Sequence, residues 1–294
     1  DPALLLEAHR AMGRNLFDRG ELMLARAHLE QGIALYDPLQ YGSHAFLYGH
    51  DPGVAGLSCM ALVLWHLGYP DEALKRNHEA LILAQELAHP FSLAFAFLFS
   101  NRLCQFRRDR QTAQEQAEAA IVFSREHGFP VFVAEGTILR GWALAEQGQK
   151  EEGIAQMRQG MAAWRVTGAE MWQSHFLALL AEVYGKVGQV EEGLTVLTEA
   201  LALVNKTGER FYEAELYRLK GELTLQKGVR DWGLGAGSAS PQTSSLQPLV
   251  SNGAKQEAEE YFLKAIDIAQ KQQAKSLELR AVISLARLWR QQGK

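Results

Sequence analysis

Apolar and small residues recur along this chain with helical spacing, in paired blocks joined across a glycine, and the paired block repeats every ~40 residues. The clearest copies are GWALAEQGQKEEGIAQMRQGMAA from Gly141 and AEVYGKVGQVEEGLTVLTEALAL from Ala181, whose turn glycines Gly148 and Gly188 lie one period apart. One column of equivalent positions reads Gly13, Ala61, Asn101, Gly141, Ala181, Gly221 and Ala286; a second reads Ala25, Ala73, Ala113, Gly153, Gly193 and Ala258; a third reads Gly32, Ala80, Ala120, Gly160, Ala200 and Ala265. Glycine inside a helix costs about 1 kcal/mol relative to alanine. Its use here therefore predicts that a second backbone approaches closely, with Leu29, Met157, Leu197 and Phe262 filling the space between. Asn101 breaks the first column.

Turn glycines are expected at Gly20, Gly68, Gly148, Gly188, Gly228 and Gly293, where a left-handed C-cap needs them, and Arg108 stands in that column as the exception. His127-Gly128, Thr167-Gly168 and Thr207-Gly208 repeat a stop signal at the end of second helices. The predicted architecture is all-α, six antiparallel helix pairs plus a terminal helix stacked as one solenoid over residues 1–294. A connecting loop is expected at 40–53, and a flexible Gly/Ser/Pro-rich insertion at 229–254 inside the sixth repeat. The chain opens and closes in mid-pattern, which predicts a piece of a longer protein.

The small-residue columns and turns resemble the tetratricopeptide repeat, a helix–turn–helix unit of about 34 residues. The family's proline after the second helix is replaced by Asp37, Gln85, Arg125, Arg165, Asn205 and Gln270, so the helices are expected to run longer. HAFLYGHDPGVAGLSCMALVLWHLGYPDEAL, GTILRGWALAEQGQKEEGIAQMRQG and GERFYEAELYRLKGELTLQKG are similar to the C-terminal repeats of bacterial multidomain signalling proteins, in which a nucleotide cyclase or other effector precedes an AAA-like ATPase. That resemblance implies a right-handed superhelix in the cytoplasm, acting as a protein–protein interaction or sensor module. Its partner would be a protein or peptide, or the ATPase module of the same polypeptide.

Composition changes this picture little. The 30 basic and 34 acidic residues are well mixed, which gives no footprint for nucleic acid or a membrane surface. Cys59 and Cys104 fall in apolar first-helix patterns and read as buried thiols. The longest apolar runs, near 54–65 and 91–99, are shorter than the roughly 20 residues of a membrane span.

Chemistry is sparse, and no cofactor or metal is expected. GQVEEGLT at 188–195 has P-loop-like glycine spacing but Leu194 where a lysine is required, and GLGAGS in the insertion lacks the full dinucleotide pattern. Tyr41, His44, Tyr48, His50 and Asp51 cluster in the 40–53 segment at spacings that suit neither a helix-face pair nor a zinc hairpin. Asp71-Glu72, Glu151-Glu152 and Glu191-Glu192 open second helices, where carboxylates favour the positive dipole end.

A solenoid instead offers a concave face built from its first helices. The family register places Trp65, His66, Phe95, Arg102, Phe106, Glu135, Trp142, His175, Glu182, Lys186, Glu215, Arg218 and Glu222 there. Rigid rings with flanking charges suit peptide recognition, and the same residues also suit packing and ion pairing between repeats. The alternative is an enzyme whose site is built around Glu135, His175, Glu182 and Arg218. Arg140 and Lys220, at first-helix positions where the family has leucine, are expected to pair with carboxylates such as Glu182, Glu213 and Glu222.

Overall fold

The computed structural model describes residues 1–235 and 251–293. Every regular element among them is a helix: α1 (Pro2–Asp18), α2 (Leu22–Leu35), α3 (Pro38–Tyr41), α4 (His44–Tyr48), α5 (Pro52–His66), α6 (Pro70–Leu87), α7 (Pro90–Phe106), α8 (Arg110–Glu126), α9 (Pro130–Glu146), α10 (Lys150–Val166), α11 (Gln173–Lys186), α12 (Val190–Thr207), α13 (Glu213–Gly235), α14 (Asn252–Lys271) and α15 (Lys275–Gln292). The six pairs are α1/α2, α5/α6, α7/α8, α9/α10, α11/α12 and α13/α14, and α15 is the terminal helix. First helices stack on one another as an inner layer, while each second helix packs outside between its own partner and the next first helix.

Local chemistry explains the boundaries. Proline begins α1, α5, α6, α7 and α9 at the position where its missing N–H costs nothing. Asp51 caps α5 by accepting from the Val54 N–H at 2.9 Å, and its other carboxylate oxygen accepts from the Tyr36 hydroxyl at 2.9 Å. Without the family proline, α8 and α10 run for 17 residues and α12 for 18.

The glycine columns act as their spacing predicts in α9/α10. A Cβ on Gly141 would sit 2.7 Å from the Gly153 carbonyl oxygen, and one on Gly153 would sit 2.5 Å from the Gly141 carbonyl oxygen, so here backbone lies on backbone. Arg108 takes the left-handed φ of +62° that its column demands despite having a side chain.

Three expectations need correction. The 40–53 segment is not a plain loop: α3 runs into it and α4 folds within it, because Asp37 caps a proline-initiated turn and Tyr41 and His44 are buried. Gly228 is no turn glycine, since α13 continues through it to Gly235. The proposed 229–254 insertion therefore begins as helix, its residues 236–250 lie outside the described residues, and Asn252 opens α14.

Nor is the concave side an open trough. The superhelix winds until its start meets its end: the Asp18 carbonyl accepts from the N–H groups of Arg210 at 2.7 Å and Phe211 at 3.2 Å. Gln272 Nε2 donates to the Arg210 carbonyl at 2.9 Å, and the Ser276 hydroxyl donates to the Trp65 carbonyl at 2.5 Å, while α15 packs on α5. The inner layer thus encloses much of its own surface.

Candidate functional site

Aromatic side chains from five segments fill the centre of the closed turn. Phe17 stacks on Phe211 at 5.0 Å between ring centroids and meets the edge of His66 at 5.3 Å. Trp65 stacks on Phe106 at 5.0 Å, and Phe106 reaches His175 at 5.3 Å and Tyr212 at 5.7 Å. Of the residues placed on the groove by register, Trp65, His66, Phe106, Trp142 and His175 are accordingly buried and pack against the protein itself. Burial holds His66 down at about 4 and, with the Arg102 charge behind it, holds His175 well below the usual imidazole range, so both rings are neutral at neutral pH. His66 Nδ1–H donates to the Leu62 carbonyl at 2.8 Å, and His175 Nε2 meets Gln105 Oε1 at 3.0 Å.

Beside this column runs a charged network. Glu215 is buried among three guanidinium groups: Arg218 binds it with two hydrogen bonds of 2.7 and 2.8 Å, Arg280 lies at 2.6 Å and Arg108 at 3.7 Å. Arg108 also donates to both Glu182 oxygens at 2.7 and 2.6 Å, Arg218 extends to Glu222 at 2.5 Å, and Lys186 bridges Glu182 and Glu146. Burial alone would raise the Glu182 carboxyl, but Arg108 and Lys186 outweigh it and hold the group well below the ordinary carboxylate range.

Glu135, His175, Glu182 and Arg218 do not meet as one constellation. Their hydrogen-bond partners are, respectively, Arg102, Gln105, Arg108 and the Glu215/Glu222 pair. The expected carboxylate partners of Arg140 and Lys220 are also absent among the described residues. Arg140 Nε donates to Gln156 at 2.8 Å, and the Lys220 ammonium sits 4.6 Å from the centroid of the Tyr261 ring. In the 40–53 segment the polar residues diverge, His44 to Glu7 and His50 to Arg10, and no group that could hold a metal occurs among the described residues.

One part of the inner face stays open, a cleft of about 440 Å³ between α1, α7, α9 and the turn that precedes α11. Phe95, Phe99, Phe132, Trp164 and Trp172 supply its rings, and Arg10, Arg14, Arg102, His50 and Glu135 supply its polar groups. Thus Phe95, Arg102 and Glu135 are the register-predicted residues that reach this open space.

Trp172 organises the cleft wall. Its backbone is held at φ +67°, a costly conformation for a bulky residue, and both Glu209 carboxylate oxygens accept its N–H at 2.9 Å. The indole lies 3.7 Å from the Arg102 guanidinium carbon, while Arg102 Nη2 donates to Glu135 at 2.7 Å and Nε makes the second bond of the pair. Burial raises the Glu209 carboxyl to about 7 even though the Trp172 N–H opposes it. Burial and the neighbouring Arg10 charge lower His50 to about 4, so its neutral ring accepts from Arg10 Nη1 at 3.0 Å and stacks on Phe95 at 5.2 Å.

Repeat register does not single out Arg10, Arg14, His50 and Trp172, because their places depend on closure rather than on repeat position. A usable signal existed for Trp172: it and Tyr212 occupy equivalent aromatic positions one period apart.

Similarity to known proteins follows this geometry. Residues 54–75 match the model of the tetratricopeptide repeat. The chain is 26% identical over 189 residues, 63% of its length, to an uncharacterised protein of Rhizobium meliloti (strain 1021), and it spans 18% of that relative's length. Among solved structures, a Rap protein complexed with competence and sporulation factor superposes with a TM-score of 0.56 at 13% identity, over 98% of this chain and 76% of that one. A putative kinesin light chain from Podosopora anserina with nearly identical TPR-like repeats gives a TM-score of 0.44 at 19% identity, over 70% of this chain and 98% of that one. The fold is therefore a tetratricopeptide-like solenoid.

Proposed function

We propose that this chain is a non-catalytic sensor module that binds a peptide or protein on the inner face of its superhelix and thereby regulates an attached signalling ATPase or cyclase. The observation that carries this reading is the cleft: where the rest of the inner face is filled by the protein's own rings and ion pairs, this stretch leaves an open space bordered by aromatic rings and arginines. Such a mixture of rigid rings and oriented charge suits a partner with an apolar body and polar termini or backbone. The Rap structure, which has the same fold, is described as complexed with competence and sporulation factor, and this supports an occupant on a related scaffold. Regulation would act through closure, because α1, α11 and the turn before α13 meet at the cleft's edge and an occupant there would bias how tightly the turn shuts.

The test is a calorimetric titration of the chain with longer, end-blocked peptides selected by display on it. Truncating a central aromatic anchor commonly costs 2 kcal/mol, or about 30-fold in affinity. Phe95→Ala in the cleft should show that loss, whereas Val122→Ala, exposed on α8, should leave binding unchanged. Equal binding by wild type and Phe95→Ala would remove the inner-face reading. In the longer polypeptide, the same peptides should change the ATPase or cyclase rate.

A further inference from the structure

Repeat four leaves a recess on the outer side of the superhelix that the flanking repeats fill. It lies between the last turn of α8, the start of α9 and the later half of α10, has a volume of about 400 Å³, and is lined mainly by Phe129, Pro130, Val133, Ala134, Gly160 and Ala163. The repeat columns give its cause. Thr137 and Ala163, which also border it, stand where α7/α8 has Phe97 and Phe123, whose rings meet edge to face at 5.8 Å. In α11/α12 the same two places hold Leu177 and Leu203, which pack into the core. Gly160 stands where both neighbours have alanine, Ala120 and Ala200. Repeat four thus lacks the two large side chains with which the repeats on either side close the same crease.

The groups at the rim narrow what fits. Arg125 and Gln159 border the recess, both are exposed, and neither side chain has a hydrogen-bond or ion-pair partner among the described residues. No Asp or Glu lines the recess, so the Arg125 charge is not answered from within it. Helix α9 begins at the same rim without a side-chain cap, and the positive end of its dipole adds to the Arg125 field. One guanidinium matches one carboxylate in charge and in its planar pair of donors. The remaining wall is apolar and includes the flat rings of Phe129 and Pro130, which suits an aromatic body. A concave apolar site with a few polar groups at its edge is the usual form of a small-molecule pocket.

We propose that this recess binds a small aromatic carboxylic acid, with its ring body in the place that Phe97 and Phe123 take one repeat earlier and its carboxylate on Arg125. Gln159 is free to donate to the second oxygen. No residue lines both this recess and the inner-face cleft, so the proposal stands apart from peptide binding there.

Equilibrium dialysis of the whole chain against 2-naphthylacetate, 2-naphthylacetamide and octanoate tests it. The naphthyl acid should bind about 5-fold more tightly than its amide, as one exposed charge contact allows, and more tightly than octanoate. Arg125→Gln, an exposed change, should bring the acid down to the level of the amide. Thr137→Phe combined with Ala163→Phe writes the ring pair of repeat three into repeat four, and it should abolish binding while a thermal melt shows the fold retained. Ala163→Leu, which copies the residue of repeat five, makes the same test with less added volume, and the acid–amide comparison needs no variant at all.

No retention of 2-naphthylacetate by the wild-type chain would overturn the proposal. Equal affinity for acid and amide would overturn the carboxylate, and octanoate binding as tightly as the naphthyl acid would overturn the aromatic body. Binding that survives both filling variants would overturn the location and move the ligand to another surface, such as the arginine-bordered cleft.

Discussion

Repeats three and four occupy the same columns with opposite chemistry. In α9/α10, Gly141 faces Gly153 backbone to backbone, and Gly148 turns the chain at φ +98° with nothing within 4 Å of the position where its Cβ would lie. In α7/α8, the equivalent of Gly141 is Asn101, fully buried with neither Oδ1 nor Nδ2 partnered, and the equivalent of Gly148 is Arg108, forced into a left-handed backbone. Repeat four satisfies the solenoid rule. Repeat three departs from it on the helix that also carries Arg102, Gln105 and Phe106 into the centre of the closed turn. The difference teaches that a lapse in a repeat column marks a residue recruited for contacts beyond its own pair: Arg108 spends backbone strain to join Glu182 on α11 and Glu215 on α13.

The largest expected effect tests the first column. Gly141→Leu must separate two backbones, since the Gly153 carbonyl and the Met157 nitrogen stand in the way as well as the Met157 side chain, and should cost about 3 kcal/mol or more. Asn101→Leu, at the same column, keeps the branched skeleton of four side-chain heavy atoms and removes two unpartnered buried polar atoms, so it should be neutral or stabilising by about 1 kcal/mol. Denaturation midpoints measure both. Equal losses in the two repeats would erase the distinction.

Next comes the ion pair. Arg108→Ala leaves the mostly buried Glu182 with Lys186 as its remaining ion pair and Arg280 farther off, and because the arginine side chain is 28% exposed the screened cost should be about 2 kcal/mol. Glu182 is depressed in the folded state, so its contribution is complete above its unfolded value near 4.5 and is lost as pH falls below that. Stability measured down the acid limb should therefore fall less steeply in Arg108→Ala than in wild type. Parallel acid limbs would show that Arg108 does not hold Glu182 ionised.

The six pairs and the terminal helix were legible from period alone, because small residues at fixed columns encode nearest-neighbour packing and nothing longer-ranged is needed. Closure was not legible. It depends on a small rotation per repeat summed around the turn, which no local column records, and it decides that Trp142 and His175 are interior residues while Arg14 and Trp172 border the open cleft. Gly228 misled for a related reason: a glycine in the right column predicts a turn only where the following residues can leave the helix, and the helix instead continues to Gly235. Phe95, Arg102 and Glu135 border the cleft whatever the closure, because they sit on stacked first helices. Asn101 and Arg108 were visible as exceptions, but their meaning required seeing what lay opposite them.

The smallest effect isolates backbone strain from side-chain pairing. Gly148→Ala places a Cβ on a residue at φ +98° with open space around it, so any loss is conformational and should be about 1 kcal/mol. Arg108→Gly performs the converse operation, relieving the same kind of strain while removing the same ion pairs as Arg108→Ala. It should therefore be about 1 kcal/mol more stable than Arg108→Ala, though still less stable than wild type. If Arg108→Gly and Arg108→Ala melt together, the left-handed backbone of repeat three costs nothing and its departure from glycine needs no compensation. If Arg108→Gly exceeds wild type, the links to Glu182 and Glu215 contribute less than the strain they hold, and repeat three keeps its arginine for a reason other than stability.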